Sequence, residues 1–483
     1  MDLISLIKNL PIDLIPILTN YNPEILSILS KDDLIKYDWF RLIRMTFSLD
    51  YSRSLCSNEQ IMNVYFDNCQ TRRKSKIMSL DGYMVITGLD GTLMSCGHNE
   101  CGQLGLGDFS NRNVFEGIKG IKNVLEVAGN EYSMIIKLSD GTLMGCGSNV
   151  YGQLGLGHNI AKASFQEIKG IEKNVGNTVI FGDFNAFIRT IDGTLMGCGH
   201  NRFGELGFGD NRDRNIFEEI KGVEKNIVEV LANGHRTIVR FRDGRLMGCG
   251  HNAFGELGLG DYRERNIFEE IKGVPKNIAE VIFNDSDTIV RLTDGTLMAC
   301  GSNKYGELGL GDNINIKFFE EIKGIPKNIA KVTSKGYRTI IRLTDGTLLG
   351  SGDNRYGQFG FGDIKCRMFF EKIKIRKKVA QVILAKNYTM IVLTDGTLMS
   401  CGRNNYGQIG LDDIIDRYQF QKITKMNKMK RMPKNIAEVK CSTESTIIRL
   451  TDGTIMACGD GVVNKNRKKN RFFEIKEIGK ILD

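Results

Sequence analysis

Long apolar runs are absent from this 483-residue sequence. No stretch approaches the roughly 18 consecutive apolar residues that a membrane-spanning helix needs. The first twenty residues, MDLISLIKNLPIDLIPILTN, lack the basic start of a secretory signal, and Lys8, Pro11 and Asp13 interrupt their apolar positions. We therefore expect an intracellular protein, cytoplasmic or nuclear and not secreted, that has no membrane partner and keeps its twelve cysteines as reduced thiols.

What the chain does have is a globular composition, 41% hydrophobic and 25% charged, with 55 glycines and a formal net charge of +9. A composition in this range argues against intrinsic disorder. A chain of this length can also bury a large core without disulfides or metals. The mild excess of lysine and arginine permits nucleic acid or an acidic partner but does not require either.

The dominant feature of the sequence is an internal repeat. A glycine that follows cysteine or serine recurs at intervals of 50, 52, 51, 51, 51, 50 and 57 residues. The eight glycines are Gly97, Gly147, Gly199, Gly250, Gly301, Gly352, Gly402 and Gly459. Eight copies of one unit therefore occupy residues 76–483, and a segment that occurs eight times is more typical of architecture than of an active site.

Each copy is predicted to form four antiparallel strands, as the fifth copy illustrates. Asn277–Phe283 is a short apolar run, and Asp287–Thr293 alternates apolar and polar residues. An Asp-Gly pair, typical of a type I′ hairpin turn, leads to Thr296–Gly301, and Phe318–Ile325 follows as the fourth strand. Such units bury both sheet faces when they stack in a closed ring, so the sequence predicts an all-β protein, a β-propeller.

The repeat resembles that of the regulator of chromosome condensation family. The stretch DGTLMACGSNKYGELGLGD (Asp294–Asp312) and its seven relatives are similar to the family pattern, in which Asp-Gly and an apolar strand precede a Gly-x-Asn-x-x-Gly-Gln-Leu-Gly-x-Gly loop. The resemblance implies a propeller of four-stranded blades over residues 71–483. The family norm is seven blades, whereas eight complete copies are counted here, so seven and eight blades both stay open.

The resemblance also bears on function. The founding member of the family binds nucleosomes and exchanges nucleotide on the small GTPase Ran through an insertion in one blade. The even spacing of copies one to seven leaves no room for such an insertion, which argues against exchange activity in this chain. A plant ultraviolet photoreceptor of the family depends on clustered tryptophans, and the single tryptophan here, Trp39, lies outside the repeats.

The leading hypothesis is therefore a non-enzymatic interaction scaffold without a cofactor. A monomeric propeller would bind a protein partner, chromatin or nucleic acid through the loops of its faces. Guanine-nucleotide exchange on a small GTPase is kept as an alternative.

Residues 1–70 carry none of the repeat and are predicted to form two or three short helices, one of which starts at Asn22-Pro23. Leu10–Leu18, followed by Trp39 and Leu42, is weakly similar to an F-box, the helical module that ties a substrate receptor to a ubiquitin ligase. A ubiquitin-ligase substrate adaptor is accordingly the second hypothesis. A helical cap or an independent docking segment is the structural alternative.

The glycine-rich loops do not have the context of a phosphate-binding loop. Such loops precede a helix N-terminus, and each loop here leads into a strand. Asn303, Gly306, Gly309 and Gly311 instead suit tight or left-handed backbone.

The cysteines and histidines are not expected to carry chemistry. Seven cysteines share one repeat position without paired zinc spacing, which predicts small buried packing residues. They are Cys96, Cys146, Cys198, Cys249, Cys300, Cys401 and Cys458, with Ser351 in copy six. His98, His158, His200 and His251 lie in glycine-rich loops where other copies have serine, aspartate or arginine, and this interchange argues against a catalytic base. We predict no catalytic, cofactor or metal site, His235 included.

Basic residues concentrate where the repeat is broken. In a four-stranded blade, the turns between strands two and three share one face with the links between blades (the link face), and the other two loops share the opposite face (the loop face). The links are lysine-rich and culminate in Lys374–Lys378 and Lys422–Lys434, and Arg72–Lys76 enters the first blade on the same face. On the loop face, copy eight replaces its glycine-rich loop with Asn464–Arg471.

Clustered lysine and arginine are typical of phosphate contacts or an import signal, with a solvated loop as the alternative. No aromatic residues interleave with them, so single-strand base stacking is not indicated. The candidate basic patch comprises Arg72, Arg73, Lys74, Lys425, Lys428, Lys430, Arg431, Lys465, Arg467, Lys468, Lys469 and Arg471.

Overall fold

The computed structural model describes residues 29–47, single positions and short runs between 53 and 65, and residues 77–475 with gaps at 81, 89–90, 174–177, 191, 234, 285, 425–431 and 461–469. The helices with described bounds are α1 (Lys31–Leu34) and α2 (Trp39–Phe47). The strands are β1 (Ile77–Leu80), β2 (Tyr83–Thr87), β3 (Leu93–Gly97), β4 (Arg112–Gly117), β5 (Val124–Gly129), β6 (Ser133–Leu138), β7 (Leu143–Gly147), β8 (Lys162–Glu167), β9 (Thr178–Phe181), β10 (Asn185–Arg189), β11 (Leu195–Gly199), β12 (Arg214–Glu219), β13 (Ile227–Asn233), β14 (Arg236–Phe241), β15 (Leu246–Gly250), β16 (Arg265–Glu270), β17 (Ile278–Phe283), β18 (Asp287–Leu292), β19 (Leu297–Gly301), β20 (Ile316–Glu321), β21 (Ile329–Ser334), β22 (Arg338–Leu343), β23 (Leu348–Gly352), β24 (Arg367–Ile373), β25 (Val379–Leu384), β26 (Tyr388–Leu393), β27 (Leu398–Gly402), β28 (Arg417–Lys422), β29 (Ile436–Cys441), β30 (Ser445–Leu450), β31 (Ile455–Gly459) and β32 (Phe473–Glu474).

The strands form eight four-stranded antiparallel sheets, each built from four consecutive strands. The first blade is β1–β4 and the eighth is β29–β32, so the predicted propeller is confirmed with eight blades rather than seven. Short bridges also join neighbouring blades at the rim: Leu259, in the β15–β16 loop of blade four, pairs with Phe318 in the outermost strand of blade five.

The ring closes on itself. The first strand of blade one contacts the first strand of blade eight, β1 against β29. One apolar cluster fills this closing seam, with Met84 and Ile86 from blade one packed among Ile447 and Phe473 from blade eight. Every other seam between neighbouring blades has its own apolar cluster. Closure therefore leaves no exposed sheet face at either end.

The prediction that the repeated cysteines are buried packing residues is confirmed. All seven are at most 1% exposed, and burial raises the pKa of their thiols. Six of them lie against the preceding blade, as Cys249 does with its Sγ 3.3 Å from the Glu205 carbonyl oxygen. Ser351 takes the same place in blade six and donates to the Gly306 carbonyl at 2.6 Å.

The Asp-Gly hairpin is confirmed, but the type I′ turn is wrong. Gly295 has a positive φ of 85°, whereas Asp294 is not among the residues with positive φ. The Gly295 N–H donates to the Leu292 carbonyl, and the Leu292 N–H donates to the Thr296 carbonyl. The loop thus has three residues with a left-handed glycine at its end, the second common hairpin geometry. The Asp294 carboxylate accepts the Thr296 N–H at 2.9 Å, which explains the aspartate without a left-handed backbone.

The glycine-rich loop is held by an asparagine side chain as well as by its glycines. Gly306, Gly309 and Gly311 have the predicted left-handed backbone, with φ of 80°, 69° and 104°. Asn303 does not. Its side-chain amide instead donates to the Asp312 carbonyl at 3.0 Å and accepts the Leu308 N–H at 3.1 Å, so it links two ends of the loop that are nine residues apart.

The fourth strand of this blade differs from its predicted bounds. It begins two residues earlier than predicted and ends four residues earlier, at Ile316–Glu321.

The described part of the N-terminal region is helical and packs around its tryptophan. Trp39 is fully buried, its indole N–H donates to the Leu34 carbonyl at 2.6 Å, and its ring lies 5.1 Å from that of Tyr65. Leu10–Leu18 and Asn22-Pro23 lie outside the described residues. None of the helices that the structure describes is long and apolar enough to cross a membrane.

Candidate functional site

The link face carries a belt of exposed lysines. The six links that join blades one to seven have exposed lysine side chains, at Lys119, Lys122, Lys169, Lys173, Lys221, Lys225, Lys272, Lys276, Lys323, Lys327, Lys374, Lys377 and Lys378. Some of this charge is neutralised, because aspartates of the Asp-Gly turns lie beside the links.

Two such pairs show the pattern. Lys327 Nζ lies 3.1 Å from the Asp294 carboxylate and Lys377 Nζ lies 2.7 Å from that of Asp395. The hydrogen bond from Lys377 lowers the pKa of Asp395, so the carboxylate stays ionised at neutral pH. Exposed pairs of this kind add little stability. Because paired lysines are neutralised, the net positive charge of the link face comes mainly from the link lysines that have no aspartate beside them.

A cavity of about 670 Å³ lies between blades six and seven, lined by their outermost strands and by the link that joins them. Its floor is apolar and includes Phe361, Ile375, Leu393, Met399 and Phe420. Its walls are basic and are formed by Arg367, Lys372, Lys374, Arg376, Lys377 and Lys422, with Glu371 among them.

The cations of the cavity fall into two groups. Arg367 is structural: it pairs with Asp363 and Glu371, both at 2.9 Å, and its guanidinium lies 4.3 Å above the ring of Phe361. Lys372, Lys374, Arg376 and Lys422 are exposed. A cavity with an apolar floor and such walls suits an anionic group that is attached to an apolar body.

Most of the predicted basic patch lies outside the described residues. Eleven of its twelve residues do so, namely Arg72, Arg73, Lys74, Lys425, Lys428, Lys430, Arg431, Lys465, Arg467, Lys468 and Lys469. Arg471 is described, and its guanidinium pairs with the Asp412 carboxylate of blade seven, a hydrogen bond that raises the pKa of Arg471. Four of the eleven follow Lys422 closely in the chain, and Lys422 itself lines the cavity.

The loop face holds a cluster that the sequence argument missed. His200 and Glu205 lie in the β11–β12 loop of blade three, and His235 lies in the β13–β14 turn of blade four. His200 Nδ1 forms a hydrogen bond with Glu205 Oε1, and His235 Nδ1 lies 3.9 Å from the same oxygen. The three residues thus meet across one seam, although 30 residues separate Glu205 from His235.

Aromatic rings enclose these histidines. Phe203 lies 4.7 Å and Phe184 lies 5.9 Å from the His235 ring, centroid to centroid, and Tyr151 lies 4.8 Å from the His200 ring. Burial alone would raise the pKa of Glu205, but the hydrogen bond with His200 and the nearby ring of His235 outweigh it and the net pKa is lowered. Glu205 is therefore a buried carboxylate that stays charged.

A signal for this cluster was present in the repeat. The position that has glutamine in four other blades has Glu205, Glu256 and Glu307 in blades three to five. Five residues earlier, the same blades have a donor for that carboxylate: His251 bonds Glu256 at 2.6 Å, and Ser302 bonds Glu307 at 2.8 Å. Comparing the two columns together, rather than the histidines alone, would have found the pairs.

Comparison with known sequences shows partial matches. The chain is 31% identical over 185 residues to the ultraviolet-B receptor UVR8 of Arabidopsis thaliana, a match that covers 38% of this chain and 42% of that protein. It is 25% identical over 190 residues to the probable E3 ubiquitin-protein ligase HERC6 of Homo sapiens, covering 37% of this chain and 18% of that protein. The chain thus spans less than half the length of the curated relatives it matches. No family model matches it.

Comparison with solved structures shows the fold. Prp20p from Saccharomyces cerevisiae, described together with its binding properties to Gsp1p and histones, matches with a TM-score of 0.55 at 16% identity over 77% of this chain and 92% of that one. The complex of Kap60 with yeast RCC1 (Prp20) matches with the same TM-score at 15% identity, over 77% of this chain and 90% of that one.

Proposed function

Because the chain is an RCC1-like β-propeller, here with eight blades, we propose that it is a non-enzymatic interaction scaffold that binds a protein or chromatin partner through the loops of its faces. The observation that carries the proposal is the basic cavity between blades six and seven, beside the lysine-rich links. The proposed contact surface consists of this cavity and the candidate basic patch of residues 72–74, 425–431 and 465–471, most of which lie outside the described residues.

The mechanism is electrostatic recognition on a rigid ring. Exposed lysines attract an acidic surface over a distance of about 10 Å at moderate salt. The apolar floor then receives the less polar part of the bound group, while Lys372, Lys374 and Arg376 contact its charge. The eight seam clusters keep the loops in fixed positions, so little conformational entropy is lost on binding.

The state of the cysteines supports a binding role over a catalytic one. A thiol acts as a nucleophile through its thiolate, and catalytic cysteines have a lowered pKa. The seven repeated thiols have a raised pKa because they are buried in the seams. Prp20p is described with its binding to Gsp1p and histones, which makes protein and histone partners the first ones to test.

The test is binding to nucleosomes and to free DNA as a function of salt. We expect affinity to fall steeply between low and moderate salt, because phosphate contacts release counterions. The triple variant K372E/K374E/R376E should weaken binding and reduce the salt slope by about three. A second triple variant, Lys428, Lys430 and Arg431 to glutamate, tests the patch residues in the same way.

The matched control is K221E/K272E/K323E, which changes the net charge equally on three other links of the same face. If both test variants bind as the control does, the proposed surface is wrong. If wild-type affinity for nucleosomes and DNA hardly changes with salt, phosphate contacts are not its basis.

A ubiquitin-ligase adaptor is the second candidate function. It is favoured by the folded helical element around Trp39, which follows the F-box-like stretch Leu10–Leu18. The propeller would then hold the substrate. Full-length protein should retain a ligase adaptor subunit in a pull-down and lose it when residues 1–70 are deleted; a pull-down without any adaptor subunit contradicts this function.

Guanine-nucleotide exchange is the remaining alternative. The even spacing of the copies provides no blade insertion for it. We expect nucleotide release from a Ran-like GTPase to be unchanged by this protein, and a strong acceleration would make exchange the function instead.

A further inference from the structure

The cluster between blades three and four has the donor set of a metal site. His200, Glu205 and His235 each offer one ligand atom, and these atoms all lie within 4.8 Å of one another. Imidazole nitrogen and carboxylate oxygen are ligands that Zn²⁺ and its neighbours in the first transition row accept. We propose that His200, Glu205 and His235 bind one divalent transition-metal ion, with Zn²⁺ as the probe, and leave a fourth coordination position open.

Binding an ion requires the three ligand atoms to move from their present positions. Zinc with ligand bonds of 2.0–2.1 Å brings tetrahedral ligand atoms to about 3.3 Å from one another. The 3.9 Å between His235 Nδ1 and Glu205 Oε1 must therefore shorten, the hydrogen-bonded atoms of His200 and Glu205 must move apart to admit the ion, and no two of the three ligand atoms are more than 4.8 Å apart at the start. The side chain of His235 is 42% exposed and can rotate that far.

One ligand atom also lacks a partner without a metal. Among the described residues, His235 Nδ1 is shielded from solvent and has no hydrogen bond. A buried ring nitrogen in this state loses its interaction with water and gains nothing in return. A metal ion beside Glu205 would supply the missing partner.

The carboxylate is fixed before any ion arrives. The Phe203 N–H donates to Glu205 Oε2 at 2.9 Å, which leaves Oε1 directed at the histidines. The Glu205 main-chain carbonyl accepts from Thr237 Oγ1 at 2.8 Å and from Cys249 Sγ at 3.3 Å, both in blade four. Outer contacts of this type orient metal ligands and raise affinity. The blade that supplies His235 thus also holds Glu205 in place.

The nearest cation in sequence does not point into the cluster. The Arg236 guanidinium donates to the Asn284 and Asp287 carbonyls, both at 2.6 Å, and lies 4.3 Å from the ring centroid of Phe283, all in blade five. The aromatic rings of Phe184 and Phe203 line the other side of His235. The bound ion would then join blade three to blade four and keep its open position toward solvent or toward a donor from a partner.

The neighbouring seam provides an internal comparison. Blade four has the equivalent pair His251 and Glu256, at 2.6 Å, but blade five has Ser286 where blade four has His235. That seam offers two of the three ligands. We therefore expect one metal ion per chain.

The experiment uses the full-length protein without a histidine tag. Calorimetric titration with ZnCl₂ should give one equivalent, and titration with CoCl₂ should give visible d–d bands of the same stoichiometry without a thiolate charge-transfer band. E205Q and H235S should each weaken Zn²⁺ binding by about 100-fold or more, since loss of even an outer contact costs 10- to 100-fold. H251S should leave affinity and stoichiometry unchanged.

Each variant copies a residue that another blade already uses at that position. Glutamine stands at the Glu205 position in blades one, two, six and seven, serine replaces His235 at Ser286, and Ser302 replaces His251 in blade five. Thermal unfolding checks that each variant folds, and E205Q alone decides if H235S does not. The proposal is wrong if the wild type shows no saturable Zn²⁺ binding, if the variants bind as tightly as the wild type, or if cobalt spectra show thiolate ligands.

Discussion

At the residue scale, the propeller repeats its backbone and varies the chemistry of a few columns. The clearest case is the pair five residues apart in the glycine-rich loop, which is His-Glu in blades three and four, Ser-Glu in blade five and Ser-Gln in blade two. Where the buried acceptor is a carboxylate, in blades three to five, a donor lies beside it, as His200 does beside Glu205. Blade one combines His98 with Gln103, so histidine at the first position does not require a carboxylate at the second. The reverse requirement is physical, because a buried carboxylate without a donor is costly.

The first prediction concerns Ser286 of blade five, which stands at the repeat position that His235 has in blade four. With serine there, the pair His251 and Glu256 has no third ligand. Ser286→His should complete a second site with His251 and Glu256, because it restores the residue found at His235. Titration of this variant with Zn²⁺ should give two equivalents rather than one. A folded variant that still binds one equivalent would show that the three residues are not a sufficient ligand set.

The second prediction is a pH dependence at His251. Its hydrogen bond with Glu256 raises the pKa of His251 above the usual value of about 6.5. The stability from this pair is fully present below the unfolded pKa and is lost as pH rises through the higher folded pKa. The Tm of E256Q should therefore fall below that of the wild type near pH 6 by more than it does near pH 9. An equal difference at both pH values would contradict a charged histidine, and an NMR titration of His251 gives the folded pKa directly.

At the scale of the element, the first residue of the second strand bonds across the seam in blades one, four, six and seven. In blade six this is Arg338, which is fully buried and whose pKa is lowered by burial to about 10. Its guanidinium donates to the carbonyls of Ala385, Lys386 and Tyr388 in blade seven at 2.6–2.7 Å. Tyr83 serves the same purpose at the first seam, where its hydroxyl donates to the Ser133 carbonyl at 3.2 Å.

The third prediction tests that seam. Arg338→Ala should lower the free energy of unfolding by about 2–4 kcal/mol, because three buried carbonyls lose a charged donor. The control is Arg212→Ala, which removes an exposed arginine paired with Asp210 at 3.0 Å and should cost under about 1 kcal/mol. Urea unfolding measures both, and equal losses would mean that Arg338 does not stabilise the seam.

Sequence pattern predicted most elements but not their detailed geometry. Strand existence followed from alternation, and the eight copies followed from glycine spacing, since both are local properties. The three-residue turn at Gly295 was missed because the same Asp-Gly pair suits two hairpin geometries that differ in one φ angle. The site of His200, Glu205 and His235 was missed because it forms between blades, and metal spacing within one segment does not report contacts across a seam.

At the scale of the whole molecule, the property that sequence left open is the number of blades. The structure shows eight four-stranded sheets, and the contact of β1 with β29 confirms the predicted closed ring. In an open array the terminal blades would unfold at lower cost than the interior ones, since each repeat contacts only its neighbours. In a ring every blade has two neighbours.

The last prediction follows from this difference. Ile447 lies in the closing seam between blades eight and one, and Ile340 lies at the same repeat position in the seam between blades six and seven; each is 1% exposed. Ile447→Ala and Ile340→Ala should each cost about 2–5 kcal/mol, and the two losses should agree within about 1 kcal/mol, because both leave a cavity in a fully packed seam. Unfolding should keep a single transition in both variants. A much smaller loss for Ile447→Ala, or an early transition of the terminal blades, would show that the ring opens at this seam.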